Sequence, residues 1–160
     1  MDTKEFQIAR ERSLTRGWLY TITHPDWEGR EPSYAVASKP EADAIRGAVE
    51  SAINEHTRQQ ITEGFIYDFE DGHGPCLVWL STENQANYAS YLKAVELGAE
   101  SITLKVEDAV GTVCYAEVQA ADYARFYMSM VAHIQAQIEA GWRDKDAIDY
   151  DQLAETAKGL

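Results

Sequence analysis

The densest group of side chains able to do chemistry is Asp68, Glu70 and Asp71 beside His73. Carboxylates with an imidazole can shuttle a proton or hold a cation when a loop converges them. The spacing completes neither set. A single histidine falls there, and no second group of ligands follows at a metal-binding interval. A solvated hairpin tip is therefore the first reading, and a metal-dependent enzyme centred on these four residues is the last. Asp144, Asp146, Asp149 and Asp151 fail a similar test. A twelve-residue calcium loop starting at Asp144 needs an oxygen ligand at its fifth position and glycine at its sixth, where Ile148 and Asp149 stand. Acids capping a short helix account for them better.

The other reactive types are dispersed. His24, His56, His73 and His133 have no partner at the spacing of a metalloprotease helix, and neither a nucleophile elbow, a P-loop nor a dinucleotide fingerprint occurs. Cys76 and Cys114 sit in separate strand-like segments without a C-x-x-C interval, which suits buried, reduced packing residues. No catalytic residue, no metal ligand and no cofactor is expected.

What remains is aromatic. Trp79, Tyr88, Tyr91, Tyr123 and Tyr127 belong mostly to a core by their spacing. Trp18, Tyr20, Trp27 and Tyr34 lie in a stretch that also carries Pro25, Pro32 and Pro40, and they are expected to form a contact surface not needed by the main core. Trp27, between Asp26 and Glu28, has the setting of an interface anchor.

These residues must be positioned by one domain of usual size, since the chain has 160 residues, 45% of them hydrophobic. Its 14 Lys+Arg against 27 Asp+Glu leave a net charge of -13, which opposes binding of nucleic acid or anionic lipid through a basic face. Most of the acidity follows residue 60. The N-terminus lacks the features of a secretory signal and no run is apolar enough for a membrane span, so a cytoplasmic protein is expected.

The elements follow from period and punctuation. Trp18, Tyr20 and Ile22 alternate as in a half-buried strand, and Tyr34-Ala35-Val36-Ala37 supplies a partner across a loop holding Asp26, Gly29 and Pro32. A short polar helix or tail is expected over residues 3–13. Ser38 opens a helix over about 40–62, with Gly64 giving its left-handed exit. Two further hairpins, 65–69 with 76–80 and 101–106 with 112–118, precede helices over about 83–97 and 120–140. Thr82 is expected to cap the former, and Gly141 to stop the latter with Trp142 folded back on its last turn. Asp149 caps a short terminal helix. The class is α+β: a small antiparallel sheet of hairpins packed on one face by helices, divided as an N-terminal strand element 1–38 and an α+β domain 39–160.

Residues 64–68 and 122–127, the run Leu80-Ser81-Thr82-Glu83-Asn84-Gln85-Ala86-Asn87-Tyr88, and the run Gly141-Trp142-Arg143-Asp144-Lys145-Asp146-Ala147-Ile148-Asp149-Tyr150 carry a resemblance. In this order over about 61–150 the chain resembles a family of small bacteriophage and prophage domains of unknown function, often encoded among tail or tail-fibre genes. The resemblance implies a virion-associated or tail-accessory protein; with no catalytic signature in the residues, the first expectation is a non-enzymatic protein that acts by protein–protein contact in the host cytoplasm or the virion. Its partner would be a phage tail or virion protein or a host protein, with self-association also open. A second expectation is an acidic inhibitor of a host defence or nucleic-acid-binding protein, its carboxylates standing where phosphates are expected.

Overall fold

The computed structural model describes residues 1–27 and 32–160, so Glu28 and Gly29 of the expected first loop lie outside the described residues. The class is α+β, as expected, with the strands sorted into two antiparallel sheets. Two compact units form, residues 1–57 with 139–160 and residues 58–138. Residues 1–38 fall in the first unit together with most of the following helix and the C-terminal one.

In the first unit β1 (Gln7–Ser13), β2 (Gly17–Thr23) and β3 (Ser33–Val36) make a meander. The hairpin read from the alternation is present, with Tyr20 opposite Tyr34. Residues 3–13 are a correction. Thr3–Glu5 is one 3-10 turn, and β1 pairs with β2 from Gln7 opposite Thr23 to Ser13 opposite Gly17. All of β1 except Ile8 and Ser13 is exposed, so it lacks the alternation of a half-buried strand, and its charges guard an open sheet edge. Tertiary pairing, not local pattern, makes it a strand.

Helix α1 (Ala42–Thr62) buries Ile45, Val49 and Ile53 in a core with Phe6 and Ile22. It begins after Glu41, so Ser38 lies ahead of its first turn instead of capping it; a residue before proline, here Lys39, avoids helical geometry. Helix α3 (Ala120–Asp146) passes through Gly141, which was expected to end it. That glycine serves a close approach: a Cβ there would lie 2.6 Å from Oγ1 of Thr57 on α1. Trp142 does not fold back and is 54% exposed. Asp149 caps α4 (Tyr150–Lys158) as expected, accepting from the Gln152 N–H at 2.9 Å.

The second unit runs β4 (Phe65–Asp68), β5 (Pro75–Val78), α2 (Thr82–Glu96), β6 (Ser101–Glu107) and β7 (Val113–Gln119) into α3. The strands lie side by side in chain order. Their inward residues, among them Val78, Leu104, Val106 and Ala116, pack against Tyr88 of α2 and Tyr123, Phe126 and Met130 of α3. The opposite face leaves Ile66 and Tyr115 exposed. Gly64 has φ +97° and takes the chain so close to the Val78 carbonyl that a Cβ would lie 2.0 Å from its oxygen. Cys76 is buried and Cys114 half-buried, both as free thiols, and burial pushes Cys76 up to about 11. Among the described residues no helix is long and apolar enough to cross a membrane.

Candidate functional site

Strands β5 and β6 are neighbours that share one paired position, Leu77 opposite Glu107. The β6–β7 ladder, by contrast, is complete from Ser101 opposite Gln119 to Glu107 opposite Val113. Two backbone bonds in the same register bracket it, Ala120 N–H to the Glu100 carbonyl and Asp108 N–H to the Thr112 carbonyl, each 2.9 Å. Because bonded pairs alternate along an antiparallel ladder, the even-numbered residues of β6 bond to β7. Thr103, Lys105 and Glu107 therefore turn their N–H and C=O groups toward β5.

If the β5–β6 ladder continued, Lys105 would bond to Trp79. The Trp79 carbonyl is already taken. Asn84 Nδ2 and Tyr88 Oη each donate to it at 3.2 Å, and Gln85 Nε2 donates to the Leu80 carbonyl at 2.8 Å. Two side chains from the start of α2, Asn84 and Tyr88, thus hold the carbonyl that the next rung would use, and Gln85 ties the same helix start to Leu80. Ser81 Oγ caps that helix, accepting from the Asn84 N–H at 3.1 Å, a shift of one from the expected Thr82. Gln85 is engaged with Leu80 instead of completing a box with Thr82.

Where the strands part, a cleft of about 270 Å³ opens. Trp79, Tyr88, Tyr91 and Tyr115 wall it, while Thr103 and Lys105 present the open strand edge. Asn87 adds an exposed amide. Burial raises the phenols of Tyr88 and of Tyr123, whose Oη donates to the Tyr88 carbonyl at 2.9 Å, so both rings stay neutral donors. Chemically, the cleft offers main-chain hydrogen bonds beside aromatic surface, the requirements for holding an extended chain.

The residues expected to make a contact surface are elsewhere and largely covered. Tyr20 is 1% exposed and is corrected to a core position, because it shares the inward face of β2 with Ile22. Trp18, Trp27 and Tyr34 are half-buried. The Arg10 guanidinium lies 4.3 Å from the Trp18 ring, Trp27 meets Phe6 edge-on at 5.4 Å, and Tyr34 packs on the core of the first unit. At the β4–β5 tip Asp71 and His73 pair at 3.0 Å, and Glu70 faces Arg125 at 3.8 Å. His133 stacks on Phe65 at 5.5 Å.

One further cluster comes from the β1–β2 pairing, which sequence spacing hides: Glu5, His24 and Asp26, with ligand-type atoms within 4.8 Å of one another. His24 is 4% exposed. Its Nδ1 accepts from the Asp26 N–H at 3.1 Å, which leaves the proton of the neutral ring on Nε2, facing Glu5 Oε2 at 3.3 Å. The nitrogen that faces the carboxylate is thus a donor in the neutral ring and offers no lone pair to a cation.

The family described as Domain of unknown function (DUF4376) matches residues 44–158. The chain belongs to this family. No curated protein and no solved structure matches it. The DUF4376 region takes in every residue of the cleft and begins earlier than the resemblance read over 61–150, while β1–β3 precede it. Within the DUF4376 region, Trp79, Asn84, Asn87, Thr103 and Lys105 were not singled out as site residues. The run from Leu80 to Tyr88 was the available signal, and it builds one wall of the cleft.

Proposed function

We propose that this protein acts by protein–protein contact, holding an extended segment of a partner in the β5–β6 cleft. We place that partner in a bacteriophage tail or tail fibre, where the chain serves as an accessory or assembly component and not as an enzyme. The observation that carries the contact reading is the open backbone edge at Thr103 and Lys105 between aromatic walls. An edge left open in a sheet gains main-chain hydrogen bonds from any strand laid along it. The phage setting is supported by the resemblance carried in the runs 80–88 and 141–150. Asn84 and Tyr88 of the first run hold the Trp79 carbonyl where the ladder ends.

The test is photo-crosslinking from a benzoylphenylalanine placed at Tyr115, in cells producing phage particles. The reading expects one crosslinked phage structural protein, lost on Lys105→Pro, which removes an edge N–H from a position that does not bond to β7. Crosslinks spread over unrelated proteins, or unchanged by that substitution, contradict it. Mass spectrometry of purified virions then separates a packaged component from an assembly factor.

A further inference from the structure

We infer that the cleft takes the free C-terminus of an extended peptide, with its carboxylate against Lys105; this rests on the reading of the cleft as a site for a partner strand. Three observations converge on a chain end. The first is geometric. Leu77 opposite Glu107 closes the slot, so a strand lying along Thr103 and Lys105 has no room to continue in the plane of the sheet. It must stop. The second is size: about 270 Å³ lies at the lower end of ligand clefts, which span about 300–1,000 Å³, and is room for a chain end of a few residues.

The third is charge. In a chain of net charge -13, Lys105 is the single charged residue among the described residues lining the cleft. It is exposed, and no ion pair among the described residues involves it. Around it the outward N–H groups of Thr103 and Lys105 and the exposed Asn87 amide can donate, while the outward carbonyls of the same two residues are left for the peptide's own N–H groups. A carboxylate is acceptor-only, and an ammonium beside backbone N–H donors is its complement. Glu107, on the same face of β6 as Lys105, sets a like charge at the closed end and stops the terminus opposite Lys105. Tyr115, paired with Lys105 across β6–β7, stands beside the place of the last peptide side chain.

The experiment uses the full chain and an array of random octapeptides anchored through their N-termini, printed in free-acid and C-terminal amide forms. The free acids should be retained and their amides bound about tenfold more weakly, the worth of one charge-assisted hydrogen bond. Lys105→Met, at an exposed position, should bring the acids down to the level of the amides with melting unchanged. Equal retention of acids and amides, both lost on Lys105→Pro, overturns the carboxylate inference and leaves the strand-capture reading standing. Retention of neither form at millimolar peptide overturns both.

Discussion

Gly141 and Thr57 stand so close that one added methyl group would lie 2.6 Å from the threonine hydroxyl oxygen. The glycine thus marks a helix contact and not a helix end. Alanine is favoured over glycine within a helix by about 1 kcal/mol, and overpacking costs about 1–3 kcal/mol. Gly141→Ala should therefore lose about 1 kcal/mol in urea unfolding. In a Thr57→Ala background the same change should be neutral or stabilising. Equal effects in the two backgrounds would show that the contact carries no strain.

Asn84 and Tyr88 hold the Trp79 carbonyl away from Lys105. Replacing both, as Asn84→Ala with Tyr88→Phe, frees that carbonyl to pair with Lys105 N–H. The cleft should narrow and amide exchange at Lys105 should slow, with about 1 kcal/mol lost for each removed bond. Gln85→Ala, whose bond goes to Leu80, should leave Lys105 exchange unchanged. Slowing in the control as well would mean that the ladder ends for another reason.

Much of this was legible in the sequence, for definable reasons. Trp18, Tyr20 and Ile22 alternate because one face of β2 is buried, and the three hairpins declare themselves by period and turn residues. β1 carries no such signal, since an exposed edge strand obeys no burial pattern. Gly141 misleads because glycine serves both left-handed exits, as at Gly64, and close approaches. The cleft was half legible. The run 80–88 stood out, but its role depends on the β5–β6 register, a non-local property that spacing does not encode.

At the β4–β5 tip, burial by itself would raise the Asp71 carboxyl, but hydrogen bonds from the His73 imidazole and backbone outweigh it and hold the group below the usual range. A depressed folded value contributes stability that is present above the unfolded value near ~4 and is lost as pH falls through the folded one. His73→Ala should move the Asp71 titration upward toward the ordinary carboxylate range, read by carboxyl carbon NMR. A titration that stays in place would remove His73 as the cause.

Tyr123 donates to the Tyr88 carbonyl from a buried position, and burial raises its phenol. Tyr123→Phe should cost about 1 kcal/mol at neutral pH. The sign at alkaline pH is set by the raised folded value: stability is complete below the unfolded value near ~10 and falls as pH rises toward the folded one. The phenylalanine variant should lose less stability than the parent over that range. Parallel losses would assign the alkaline transition to other groups.

The account depends most directly on the backbone edge of β6 being open, and residue-resolved hydrogen exchange of the native chain reads that edge. Thr103 and Lys105 amides should exchange fast while Leu104 and Val106, bonded to β7, exchange slowly. Equal protection along β6 from Ile102 to Val106 would mean that the edge is already paired, and would contradict the site.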